Sequence, residues 1–136
     1  MNLTPPDWHV CLVSAQPLAN LVPLLDAATR PRRALLVVTP PMVRAADALQ
    51  RVLQPTGIAV ARLEVDSARM QPVTDRLLGW LAEHEQETVW LNATGGNKPM
   101  SLAAVSAFGC AGRDDCVFYV HQDSGRLEWL DPKRTR

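Results

Sequence analysis

The chain has 136 residues, 47% of them hydrophobic, with 14 basic and 14 acidic side chains and a formal net charge of zero. That length fits a single domain over residues 1–136, with enough apolar material for a real core. The neutral balance argues against the basic face that capture of duplex nucleic acid requires, and leaves room for a small anion held in one pocket.

No apolar run approaches the ~18 residues of a membrane span. The polar, proline-rich start, Met1-Asn2-Leu3-Thr4-Pro5-Pro6-Asp7, lacks the pattern of a secretory signal. The three cysteines, Cys11, Cys110 and Cys116, are odd in number and have no C-x-x-C spacing. They form neither a disulfide framework nor a zinc site, and predict a reducing, cytoplasmic setting. The acidic residues form no paired-carboxylate or metal constellation, so neither metal nor cofactor is expected.

In chain order, Trp8 to Val13 reads as a buried strand ending in the loop Ser14-Ala15-Gln16-Pro17. A helix is expected over 18–28, with Pro23 marking a kink or a late start. Ala34 to Val38 is a second buried strand, ended by Thr39-Pro40-Pro41. Met42, Ala45, Ala46, Leu49, Val52 and Leu53 then recur at helical spacing until Pro55 and Gly57. Ile58 to Val65 suits a third strand, and Asp66-Ser67 leads into a helix carrying Val73, Leu77, Leu78 and Leu81.

Thr88 to Leu91 is a fourth strand. Met100 to Phe108 is apolar almost all round, which predicts a helix buried against a sheet or a partner and ending near Gly109 and Gly112. Cys116 to Val120 is a fifth strand. After the turn signal Asp123-Ser124-Gly125, residues 127–130 return as a short strand, giving a C-terminal β-hairpin. Such alternation predicts an α/β, Rossmann-like fold: a mostly parallel sheet with helices on both faces.

In an open parallel sheet, ligands gather at the carboxyl ends of the strands, near the point where strand order reverses. Those ends are Ser14-Ala15-Gln16, Thr39-Pro40, Asp66-Ser67, Asn92 to Lys98, and His121-Gln122. The segment Asn92-Ala93-Thr94-Gly95-Gly96-Asn97-Lys98 is the most informative. It follows a strand and precedes a helix. Its two glycines permit positive φ and close backbone approach to a ligand. The helix start offers free N–H groups and a positive dipole end to an anion. Pro99 fits the first helical turn, and Asn97 or Thr94 can cap. Lys98 adds a full charge, in a chain where twelve of the 14 basic residues are arginines. The spacing is neither a Walker loop nor G-x-G-x-x-G, which argues against ATP hydrolysis and dinucleotide redox chemistry.

His9, His84 and the four tryptophans read as structural residues. The runs Arg30-Pro31-Arg32-Arg33 and Lys133-Arg134-Thr135-Arg136 read as solvated charge.

Together the motifs resemble those of the CARF (CRISPR-associated Rossmann-fold) domains. Val13-Ser14-Ala15-Gln16-Pro17, with Asn20-Leu21 after it, is similar to the family's first motif. Leu91 to Met100, through Asn92-Ala93-Thr94-Gly95-Gly96-Asn97-Lys98, is similar to its second. The likeness is greatest to the branch fused to restriction-type nucleases. A threonine is more usual where this chain has Asn97, which keeps capping and hydrogen-bonding capacity but lacks the hydroxyl.

The resemblance implies a homodimer binding a cyclic oligoadenylate, most simply the four-nucleotide ring, in type III CRISPR signalling. A two-fold ring on a two-fold axis gives each subunit half of it to read. The implied ligand-binding residues are Ser14, Ala15, Gln16, Thr39, Pro40, Asn92, Thr94, Gly95, Gly96, Asn97 and Lys98. The nuclease half has no counterpart in the 136 residues, so the chain reads as a stand-alone domain or as part of a longer effector. A stand-alone member implies a ring nuclease with Lys98 and Ser14 as catalytic residues, cutting without metal to leave 2′,3′-cyclic phosphate ends. A non-catalytic sensor is the first alternative. A domain for a mononucleotide or phosphometabolite is the second, of another class.

Overall fold

The structure is a computed structural model and describes residues 4–66 and 69–135. Its centre is a six-stranded sheet: β1 (Trp8–Leu12), β2 (Arg33–Val38), β3 (Ala59–Glu64), β4 (Val89–Asn92), β5 (Val117–Val120) and β6 (Leu127–Trp129), in the order β3-β2-β1-β4-β5-β6. β1 to β5 are parallel, and β6 returns antiparallel to β5, opposing Trp129 to Phe118. The expected Rossmann-like architecture and hairpin are both present.

Four helices cover the two faces: α1 (Leu18–Leu25) and α2 (Val43–Leu53) on one, α3 (Met70–Glu83) and α4 (Lys98–Cys110) on the other. Unbroken apolar runs serve both faces because side chains alternate along a strand. In β2, Ala34, Leu36 and Val38 pack with Leu49 and Leu53 of α2, whereas Leu35 and Val37 pack with Val73, Leu77 and Phe108. Consecutive helices on one face followed by two on the other place the reversal of strand order between β1 and β4. A short α5 (Pro132–Thr135) follows β6. Among the described residues no helix is long and apolar enough to cross a membrane.

Several boundaries differ from expectation for identifiable reasons. α1 stops at Leu25 instead of 28. Asp26 turns extended (ψ 128°) and its carboxylate accepts from the Ala28 N–H, while the Thr29 hydroxyl donates to the Pro23 carbonyl. Pro23 neither delays nor ends the helix. Its missing N–H would have bonded the Ala19 carbonyl; the buried Asn92 amide donates to that carbonyl instead, at 2.8 Å. α4 runs through Gly109 to Cys110, and it is not buried all round: Leu102 is 53% exposed. Ser67 lies outside the described residues.

The basic runs are not simply solvated. The Arg33 guanidinium sits 4.4 Å over the Trp8 ring and pairs with Glu87. Arg30 donates to the Thr56 carbonyl at 2.8 Å. Arg134 lies 4.0 Å over Trp129 and donates to the Asp115 carbonyl. Planar guanidinium groups stack on aromatic faces, and the sequence alone did not place those rings beside them.

Candidate functional site

Four loops meet at the carboxyl ends of β1, β2, β3 and β4 around a cavity of about 530 Å³. That is within the usual range for a small-molecule site. The loop after β1 contributes Ser14 and Ala15, and the loop after β2 contributes Thr39, Pro40 and Met42. Asp66 stands beyond the end of β3, and Gly96, Asn97 and Met100 complete the wall from the start of α4.

The turn between β4 and α4 is held by a chain of side-chain hydrogen bonds. The Asn92 carbonyl oxygen Oδ1 accepts from the Thr94 N–H at 3.0 Å, and the Thr94 hydroxyl accepts from the Val120 N–H at 2.7 Å. The Ser101 hydroxyl donates to the Ala93 carbonyl at 2.9 Å. Asn97 is the N-cap: its Oδ1 accepts from the Met100 N–H at 2.9 Å. Gly96 has φ +76°, and a Cβ there would lie 3.0 Å from Leu12 Cβ. At Gly95 a Cβ would lie 2.3 Å from the Leu12 carbonyl oxygen. The close backbone approach that needs Gly95 is therefore to β1, not to the open cavity.

The sequence-derived residues thus separate. Ser14, Ala15, Thr39, Pro40, Gly96 and Asn97 line the cavity together. Asn92 and Gly95 are buried in the scaffold, and Thr94 is turned to β5. Gln16 faces a neighbouring crevice. Lys98 is exposed as the first residue of α4, next to the wall but not in it. Asp66 and Met42 were absent from the sequence-derived set. The carboxyl-end rule pointed to Asp66, and only the 3₁₀ turn Pro40–Met42 brings Met42 inward.

Electrostatically, the first turn of α4 carries no acidic residue. The positive end of the helix dipole is uncompensated there, and Lys98 adds charge of the same sign. Such a corner is suited to an anion, while Asp66 in the lining adds a negative charge to the same cavity. Elsewhere, burial pushes the Cys11 thiol up to about 12 and removes it from nucleophilic chemistry. Among the described residues no three His, Cys, Asp or Glu side chains gather as a metal site.

A crevice at the switch point of a doubly wound sheet places this chain among the Rossmann-like α/β domains. Residues 8–135 match the Card1 CARF domain family. The chain belongs to that family. Among solved structures, Can2 from Sulfobacillus thermosulfidooxidans, in complex with cyclic tetra-adenylate, is similar with a TM-score of 0.80 at 26% identity. The match covers 91% of this chain and 33% of that one. Protein VC1899 from Vibrio cholerae shares the fold with a TM-score of 0.84 at 22% identity, over 95% of this chain and 34% of its own. A type III CRISPR defence DNA nuclease activated by cyclic oligoadenylate shares it with a TM-score of 0.75 at 24% identity, over 95% and 20%. The chain therefore spans about a third or less of these proteins. No curated protein sequence matches it.

Proposed function

We propose that this domain binds a cyclic oligoadenylate, with cyclic tetra-adenylate as its first ligand, on a homodimer that gives each subunit half of the ring. The observation that carries this reading is the cavity at the strand ends with an uncompensated helix start, Asn97 cap and Lys98 at its rim. The Can2 complex, from a protein 26% identical, supports the ring as the anion. A phosphodiester at the α4 corner meets N–H donors and Lys98, with hydroxyl groups of Ser14 and Thr39 on the adjoining walls. Two copies face to face provide two such corners for one symmetric ring.

The Ser14 hydroxyl in the wall favours a second activity at the same site, ring cleavage. A ribose 2′-OH attacks its own 3′ phosphorus in line, the P–O5′ bond breaks, and the products are a 2′,3′-cyclic phosphate and a 5′-OH. Ser14 orients the attacking hydroxyl, while Lys98 and the turn N–H groups stabilise the added phosphoryl charge.

Binding is tested by titrating cyclic tetra-adenylate, linear tetra-adenylate and AMP; the ring should bind tightest. Tight AMP binding with none of the ring would favour the phosphometabolite reading. Incubating the ring with stoichiometric protein in EDTA tests cleavage. Products should form, and Lys98→Ala should slow them by ~10²-fold or more. An intact ring after hours leaves the domain a sensor only.

A further inference from the structure

In the cleavage step above, the attacking 2′-OH must lose its proton as it bonds to phosphorus. Neither the Lys98 ammonium nor a backbone N–H can accept one, and a serine hydroxyl is a feeble base. An imidazole held by a carboxylate stands beside the same loops. His121 follows β5 at the carboxyl end of the sheet, and its Nε2 lies 2.6 Å from Oε1 of Glu128 on β6. Tyr119 is the direct partner of Glu128 in the hairpin, and its ring meets the His121 ring edge-on, with centroids 5.3 Å apart. Two contacts thus fix the imidazole, although its side chain is 45% exposed. Asp123 and Arg126 are the other charged groups in the polar hollow that His121 shares with Glu128. An ionised carboxylate can only accept, so Nε2 carries the proton and, in the neutral ring, Nδ1 keeps a lone pair. Among the described residues no group hydrogen-bonds to Nδ1.

His121 adjoins both segments that serve the reacting phosphodiester. Its neighbour Val120 donates its N–H to the Thr94 hydroxyl at 2.7 Å, which ties the end of β5 to the turn before α4. His121 also shares a crevice of about 300 Å³ with Gln16, whose N–H donates to the Ser14 hydroxyl at 3.3 Å. Resting on the cleavage reading above, we propose that His121 is the general base of that reaction, with Glu128 as its positioning residue. Nδ1 takes the proton of the ribose 2′-OH as that oxygen bonds to phosphorus. The P–O5′ bond breaks, its electron pair stays on the 5′ oxygen, and that oxygen takes a proton from water. The imidazolium then gives its proton to the hydroxide left behind, so base and water are both restored. Glu128 accepts from Nε2 throughout and stabilises the imidazolium while it exists, as the carboxylate does in a serine–histidine–aspartate triad.

The test is single-turnover cleavage of cyclic tetra-adenylate in EDTA from about pH 5 to about pH 9, across the range where imidazole titrates. Ring binding is followed by calorimetry on the same proteins. The wild-type rate should rise with pH as imidazole loses its proton, then level. His121→Asn should slow cleavage by ~10²- to 10⁴-fold with the ring still bound, and should abolish the rise. Free imidazole should restore part of the rate to His121→Ala. Glu128→Gln should move the rise to lower pH, because a carboxylate favours the charged ring; a merely structural Glu128 would leave it in place. A wild-type rate and pH profile in His121→Asn overturn the base and leave cleavage standing. Loss of ring binding together with cleavage in that variant makes His121 a ligand contact and likewise overturns the base. A wild-type chain that binds the ring and leaves it intact overturns base and cleavage together, and the sensor reading stands. No ring binding by the wild-type chain removes the ring reading with them.

Discussion

Pro23 leaves the Ala19 carbonyl without its helical donor, and the Asn92 amide replaces that donor at 2.8 Å while its other end holds the Thr94 N–H. Removing Asn92 strands the buried Ala19 carbonyl and the half-buried Thr94 N–H, so Asn92→Leu should destabilise the fold by about 1–3 kcal/mol in urea unfolding. Adding Pro23→Ala, which restores an N–H to α1, should recover part of that loss; no recovery would show that the two residues are not coupled. Asn92 was legible as an important residue in its motif, but not as scaffold. The need it meets is created by a proline 69 positions away, and no local pattern carries that. His9 makes a second case. It lies fully buried against Trp90 and Phe118, and neither ring nitrogen makes a well-formed hydrogen bond. Burial pushes its pKa down to about 3 from 6.5, opposed only in part by the Thr29 backbone. Its stability is therefore complete above pH 6.5 and is lost as the pH falls from there toward about 3, because only the unfolded chain takes up the proton. The slope is about 1.4 kcal/mol per pH unit, or about 2 kcal/mol between pH 7 and pH 5. His9→Phe should lack this component in unfolding measured at both pH values; an unchanged difference would contradict it.

At the scale of elements, α4 joins fold to site. Its start is set by Asn97, whose side chain caps Met100, and by Pro99 in the first turn. Asn97→Ala should lower stability by about 1 kcal/mol through loss of the cap, whereas Asn97→Thr should keep most of it. Thermal unfolding of the two variants distinguishes them; equal losses would mean the cap is not the source. The order and type of the main elements were readable from periodicity and from proline and glycine punctuation. The ends were not. α1 is closed by Asp26 and Thr29 side chains, and α4 passes through Gly109 because Gly112, with φ +73°, makes the actual turn. The two glycines after Thr94 were legible as a special turn, yet both pack against Leu12, and only the fold shows that Gly96 also stands in the cavity wall while Gly95 does not.

For the whole molecule, the strand order β3-β2-β1-β4-β5-β6 brings residues from four distant segments, Ser14, Thr39, Asp66 and Asn97, to one rim. The carboxyl-end rule anticipated that rim because it needs only the direction of the strands. It did not divide the rim into two hollows; that division comes from where the Ser14-Ala15-Gln16 loop lies. Zero net charge fits a ligand held by one helix start, a lysine and neutral donors better than one held by a basic surface. The most direct measurement is the stoichiometry and affinity of cyclic tetra-adenylate binding by calorimetry on the wild-type chain. One ring per two chains, with AMP far weaker, is the predicted result. No heat from the ring, together with saturable AMP binding at one per chain, would contradict the account.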